Sequence, residues 1–132
     1  MDINCDLGEG IGNDADLMPY LSSCNIACGG HAGDRETMIS TMRLAKEHDV
    51  KIGAHPSFVD RPNFGRKEIY VPQERMRSQL INQIAELGAL ARLEDVEIHH
   101  VKPHGALYNM AARSSDLAKL IVNVLGFFKE DL

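Results

Sequence analysis

Apolar residues recur along this chain in two alternating rhythms. Short apolar runs at residues 2–7, 24–28, 50–54 and 96–101 have the length and content of buried strands. Between them the spacing turns helical. Met38, Met42 and Ala45 recur at i, i+4 and i+7 behind Asp34, which suits an N-cap, and this helix should end near His48 and Asp49. Met76, Leu80, Ile84, Leu87 and Ala91 form the stripe of a longer helix with Pro72 in its first turn. Leu117, Leu120, Ile121, Val124 and Leu125 mark a last helix capped by Ser114 or Ser115, and a short helix is expected at residues 14–18, ended by Pro19. Residues 57–70 read as a loop too long and polar for a simple connector, suited to a lid or a substrate contact, and residues 105–113 read as a second loop.

Strand, loop and helix in this order predict an α/β fold of about four parallel βα units with right-handed crossovers, in one domain over residues 1–132. Two closures fit: a doubly wound open sheet, or part of a (β/α) barrel. Gly8, Gly10 and Gly12 do not open a long helix in a G-x-G-x-x-G pattern, and no G-x-x-x-x-G-K-[ST] occurs, which disfavours phosphate-cradling folds. A formal charge of -5 with scattered Lys and Arg argues against nucleic acid or an anionic membrane as partner. No apolar run approaches a bilayer span and the N-terminus lacks a leader pattern, so a cytoplasmic location is expected. Cys5, Cys24 and Cys28 lack a C-x-x-C spacing and read as reduced, partly buried thiols, with a zinc site joining Cys28 to His31 as the weaker alternative.

Chemistry concentrates where the four apolar runs end, the place where parallel α/β folds assemble their sites. Asp6 and Glu9, three apart, can aim two carboxylates into one space, one acting on water while the other stays ionised or binds a metal. The structural alternatives are an Asp6 that ties up loop amides and a solvated Glu9. His31 lies among Gly29, Gly30 and Gly33 and suits a metal or an oxyanion, while His55 and His104 each stand beside a proline that limits their orientation. Singly, each imidazole fits a structural role equally well. Together with Asp6 they have the composition of a mononuclear metal hydrolase site, with Asp6, His31, His55 and His104 as candidate ligands. Lys102 can hold an anionic group or a developing oxyanion, Arg66 offers a carboxylate clamp, and Tyr108 and Asn109 can read polar substrate edges. His99 and His100 are adjacent in a strand and should face opposite ways, and His48 should complement a helix C-terminus.

Five strings carry a resemblance: Asn4-Cys5-Asp6-Leu7-Gly8-Glu9, Asn25-Ile26-Ala27-Cys28-Gly29-Gly30-His31-Ala32-Gly33-Asp34, Gly53-Ala54-His55-Pro56, Phe64-Gly65-Arg66 and His100-Val101-Lys102-Pro103-His104-Gly105-Ala106-Leu107-Tyr108-Asn109. In this order they resemble the LamB/YcsF family. The resemblance implies a deformed (β/α) barrel of the glycoside hydrolase/deacetylase type. It also implies ATP-dependent opening of 5-oxo-L-proline to L-glutamate, with ATP and Mg2+ handled through a complex with two further subunits, B and C. Carried over by motif, Asp6, Glu9, His31, His55, Lys102 and His104 would line the site; their chemistry makes Asp6, Glu9, His55, Lys102 and His104 the expected catalytic set, with His31, Asp34, Arg66, Tyr108 and Asn109 toward the substrate. A bound divalent metal is a further expectation.

Family members run to roughly twice this length, so the chain corresponds to the N-terminal half of the barrel. Half a barrel leaves two open strand edges, and a homo-oligomer is the expected remedy. Two other readings remain: a truncated, non-catalytic remnant or assembly module, and a metal-dependent amidohydrolase or deacetylase acting without ATP. The chain also departs from the family pattern. The segment before Gly12 is shorter, Gly30 replaces an aromatic residue, and Ser57 replaces the glycine after Pro56.

Overall fold

The computed structural model describes residues 1–129. Strands β1 (Asn4–Leu7), β2 (Ser23–Ala27), β3 (Lys51–His55) and β4 (Ile98–Val101) form one parallel sheet in the order β1-β2-β3-β4. That order separates the two closures. A doubly wound sheet reverses its strand order at a switch point, whereas a barrel lays each strand beside the one before it. The sheet is therefore an arc of a (β/α) barrel. Among the described residues, β1 and β4 each leave one edge unpaired.

Helices α1 (Asp14–Leu17), α2 (Arg35–Glu47), α3 (Gln73–Leu93), α4 (Gly105–Arg113) and α5 (Ser115–Phe127), with 3-10 turns at Met18–Tyr20 and Arg61–Asn63, complete the described elements. The cap of α2 is as expected: Asp34 Oδ1 accepts from the Thr37 amide at 2.8 Å. Its far end is closed by His48, whose Nδ1 lies 3.0 Å from the Leu44 carbonyl. Ser114, and not Ser115, caps α5, with its hydroxyl accepting from the Leu117 amide at 3.3 Å. Pro72 precedes α3 by one residue. Pro19 does not end a helix but sits in a 3-10 turn, Met18–Tyr20, where its missing N–H leaves no bond unmade. Residues 105–113, expected as a loop, are α4. Gly105 and Asn109 mask a real apolar face, in which Ala106 and Leu107 are buried and Met110 packs against the core.

Strand alternation divides the sheet into two faces. Leu7, Cys24, Ile26, Ile52, Ala54 and Ile98 are buried in one core with Met38 and Met42 of α2 and Leu80, Ile84 and Leu87 of α3. Each such large side chain contributes roughly 1.5–3 kcal/mol when fully buried. The opposite face is polar, with Asp6, Asn25, Gly53 and His100 in one register row across the four strands. Asn25 is wholly buried, and its amide nitrogen donates to Asn4 Oδ1 at 2.6 Å and to Asp6 Oδ1 at 2.8 Å. Its oxygen lies 2.6 Å from His100 Nε2. Gly53 makes room for that imidazole, because a Cβ there would fall 2.2 Å from His100 Nε2.

One expectation about β4 fails. Ile52 pairs with Ile98 and Gly53 with His100, so His99 is an extra residue in a bulge. Alternation is interrupted at that point, and the Nδ1 atoms of His99 and His100 lie 3.1 Å apart instead of on opposite faces. Among the described residues no helix is long and apolar enough to cross a membrane.

Candidate active site

All four strands contribute at their C-terminal ends. Glu9 follows β1, His31 follows β2, His55 is the last residue of β3, and Lys102 and His104 follow β4. Glu9, His31, His55 and His104 each present one carboxylate oxygen or ring nitrogen, and these four atoms lie within 4.8 Å of one another. Glu9 Oε1 is 2.8 Å from His31 Nε2, 3.6 Å from His104 Nδ1 and 3.9 Å from His55 Nε2. The imidazoles of His31 and His104 stack at 3.6 Å between ring centres, and His55 meets both edge-on. All three histidines are buried.

The outward nitrogen of each ring is tied down. His55 Nδ1 donates to the Lys102 carbonyl at 2.6 Å, and His104 Nε2 donates to the Phe64 carbonyl at 2.8 Å. His31 Nδ1 lies 3.0 Å from Ser57 Oγ, whose hydroxyl donates to the Phe58 carbonyl at 2.9 Å. Burial holds the His104 pKa below the ordinary imidazole value; the Phe64 carbonyl opposes that shift, and His31 and His55 reinforce it.

Asp6 stands beside this cluster. Its Oδ1 accepts from Lys102 Nζ at 3.0 Å and from Asn25 at 2.8 Å, and its Oδ2 lies 3.4 Å from His55 Nε2. Burial alone would raise the Asp6 carboxyl, but His55, Asn25 and Lys102 outweigh it and hold the group well below the usual carboxylate range. So strong an acid stays ionised and makes a weak base near neutral pH. The Asp6 and Lys102 side chains remain 33% and 41% exposed, so this ion pair is the part of the site open to an incoming molecule.

The remaining expected residues fall outside the cluster. The Asp34 carboxylate is engaged in capping α2 and is exposed. Arg66 is exposed with its guanidinium 5.1 Å from the centre of the Phe64 ring, so it braces that ring. Tyr108 and Asn109 are exposed on the first turns of α4. Cys28 donates to the Ile26 carbonyl at 3.3 Å and is not one of the converging donors, which leaves no Cys28–His31 zinc pair among the described residues. Asp6, expected among the metal ligands, gives place in the convergent set to Glu9.

Four supporting residues were not visible as such from sequence. Asn25 orients Asp6, and Ser57 orients His31. Gln83 of α3, only 6% exposed, clamps Ser57 by accepting from its amide at 3.0 Å and donating to its carbonyl at 2.9 Å. Phe64 packs edge-on against His31 and His104, 5.0 and 5.3 Å between centres. The adjoining Gly65 has φ +64°, and a Cβ there would lie 2.9 Å from His31 Cβ, so the loop can close on the imidazoles only with glycine. Two departures from the family pattern meet here. A Cβ on Gly30 would lie 2.5 Å from Ser57 Oγ and 2.7 Å from Gln83 Oε1, so Ser57 and Gln83 occupy the room that Gly30 leaves. The one telling sequence signal was a glutamine beside the apolar stripe of a long helix.

A separate cavity lies elsewhere. It measures about 560 Å³, is lined by Phe58, Ile69, Tyr70, Met110 and Leu117 among others, and shares no residue with the histidine cluster.

Comparison with known proteins identifies the family. The chain is 48% identical over 130 residues to the A subunit of 5-oxoprolinase from Staphylococcus carnosus (strain TM300), an alignment covering 95% of this chain and 52% of that relative. Its fold matches the crystal structure of the lactam utilization protein from Thermus thermophilus with a TM-score of 0.93 at 40% identity, over 97% of this chain and 54% of that one. The chain thus spans about half the length of the relatives it matches. With the LamB/YcsF family profile matching residues 1–132 from end to end, the chain belongs to the LamB/YcsF family.

Proposed function

We propose that the chain supplies the lactam-opening site of a 5-oxoprolinase as its A subunit, hydrolysing 5-oxo-L-proline to L-glutamate at the expense of ATP together with subunits B and C. The observation that carries this reading is the half-exposed Lys102 ammonium, fixed by ionised Asp6 beside a buried Glu9 and three imidazoles. A five-membered lactam presents one polarised carbonyl. Lys102 retains donors beyond the one that Asp6 accepts, and these suit the carbonyl oxygen as it takes up negative charge. Water held at the Glu9 and histidine cluster adds to the carbonyl carbon and gives up a proton there. The ring C–N bond then breaks, and the nitrogen takes a proton to leave the amine and second carboxylate of glutamate.

Resonance makes the lactam resistant to attack; phosphorylation of its carbonyl oxygen by ATP, with ADP leaving, would open the carbon to that water, and hydrolysis of the acyl phosphate left after ring opening would release the phosphate. No phosphate-cradling loop occurs in the sequence, and the N-terminus of α2, the kind of place where a phosphate would sit, carries the Asp34 carboxylate. In this reading ATP and Mg2+ are handled through the complex, while this chain's own residues act on the lactam. The unpaired edges of β1 and β4 favour completion of the barrel by further chain, with a second copy as the simplest source.

The donor set of Glu9, His31, His55 and His104 favours a second reading, a metal-dependent amidohydrolase acting without ATP. One assay separates the two. The chain is mixed with subunits B and C and 5-oxoproline, and glutamate and ADP are measured. Equal amounts of both, abolished by Lys102→Met, are expected. Glutamate without ATP consumption would establish the second reading, and neither product would identify a non-catalytic remnant.

A further inference from the structure

Hydrogen positions around the three histidines can be assigned from their partners. The Lys102 and Phe64 carbonyls only accept, so His55 carries its hydrogen on Nδ1 and His104 on Nε2. Ser57 already directs its hydroxyl hydrogen to the Phe58 carbonyl, so its oxygen accepts from His31 Nδ1. In the neutral rings the lone pairs are then His31 Nε2, His55 Nε2 and His104 Nδ1. These are the atoms that face Glu9 Oε1 at 2.8, 3.9 and 3.6 Å. His55 Nε2 and His104 Nδ1 are also only 3.1 Å apart. Four acceptors thus converge with no hydrogen between them.

Such a set needs a cation. Protons could supply it only by charging His31, to satisfy Glu9, and also one of His55 and His104, to satisfy the 3.1 Å contact. That would put two imidazolium charges in one buried pocket, either on His31 and His104, stacked at 3.6 Å, or on His31 and His55, edge-on at 5.4 Å with Asp6 Oδ2 3.4 Å from His55 Nε2. One divalent ion satisfies all four acceptors at once.

We propose that Glu9, His31, His55 and His104 form a binding site for one divalent transition-metal ion of the zinc type, ligated by Glu9 Oε1, His31 Nε2, His55 Nε2 and His104 Nδ1. A tetrahedral zinc site with bonds of about 2.0–2.1 Å spaces its donors roughly 3.3 Å apart. Four of the six donor separations, 2.8, 3.1, 3.6 and 3.9 Å, bracket that spacing, and all six fall within 4.8 Å. The outer contacts agree, since a metal-bound imidazole directs its other N–H to a carbonyl, carboxylate or hydroxyl acceptor, and all three rings do so. Three imidazoles and one carboxylate favour zinc, or iron, cobalt or nickel, over magnesium and calcium. When bound, the ion supplies Lewis acidity beside Lys102. The site is independent of which cyclic amide, if any, is opened.

The test is metal content and its consequences for the fold. The chain is stripped with a chelator, equilibrated with Zn2+, desalted and assayed by mass spectrometry. About one equivalent per chain is expected, with a higher unfolding temperature than the stripped chain. His55→Ala and Glu9→Gln should lower affinity roughly 10-fold or more while His48→Ala, at the far end of α2, keeps it. Since a cluster variant can fail to fold, Co2+ titration of the unaltered chain gives a second reading, with d–d absorption that saturates at about one equivalent. Failure of the unaltered chain to retain any of these metals, or equal loss in His48→Ala and His55→Ala, would overturn the site. Metal binding without glutamate release counts against the lactam reading alone, and full turnover by the stripped chain counts against the metal alone.

Discussion

Gln83 is where a single side chain on a helix governs the site from behind. Its amide makes two bonds to the backbone of Ser57, at 3.0 and 2.9 Å, and Ser57 in turn holds His31. Gln83→Leu keeps nearly the same volume and removes both bonds. Two net hydrogen bonds at about 1 kcal/mol each give a floor, and a buried N–H and C=O left without partners add to it, so a loss of about 2–4 kcal/mol is expected. In urea titrations followed by circular dichroism the midpoint should fall with the slope unchanged. For a chain of this size each kcal/mol corresponds to roughly 3–5 °C in Tm, so a drop on the order of 10 °C should accompany it. Ser57→Ala, which removes only the hydroxyl, should cost less, about 1 kcal/mol. A Gln83→Leu chain within about 0.5 kcal/mol of the unaltered protein would refute the clamp, because surface-like substitutions fall in that range.

Two further outcomes follow from the same geometry. Ser114→Ala should cost about 1 kcal/mol in chemical denaturation through loss of the α5 cap, whereas Ser115→Ala should be nearly neutral; a reversed order would contradict the observed cap. Burial pushes the Cys24 thiol up to about 12, with the nearby Asp14 and Cys5 adding to the shift. Below the ordinary thiol value of 9.0 both folded and unfolded chains keep the proton and this contribution is complete; between 9.0 and about 12 the unfolded chain loses it first, so stability falls as pH rises. Thiol titration at pH 8 should therefore leave Cys24 unreacted until the chain is unfolded, and prompt reaction in the folded state would contradict the burial.

The sequence reveals the framework well because the framework rests on local periodicity. The stripe of α3 and the Asp34 cap of α2 are properties of adjacent turns, and both are found in the structure. The strand-end position of Asp6, Glu9, His31, His55, Lys102 and His104 follows from the same periodicity. What escapes is set by contacts between distant elements. Strand order decides between an open sheet and a barrel, and no local pattern records it. The bulge at His99 inserts one residue and breaks the alternation on which facing was judged. Asp34 is expected both as an N-cap and toward the substrate, and its carboxylate turns to its own helix. Asn25 and Gln83 are polar residues in buried positions whose purpose appears only when Asp6 and Ser57 are brought against them.

The central claim is that a cyclic amide binds at the C-terminal ends of these four strands, against Lys102 and the histidine cluster. The most direct measurement is titration of the isotopically labelled chain with 5-oxo-L-proline, followed by amide resonances. The account predicts saturable shifts at Gly8, Glu9, His31, His55, Lys102 and Gly105, lost in Lys102→Met. Shifts confined to the cavity around Phe58, Tyr70 and Leu117, or no shifts at saturating lactam, would contradict it.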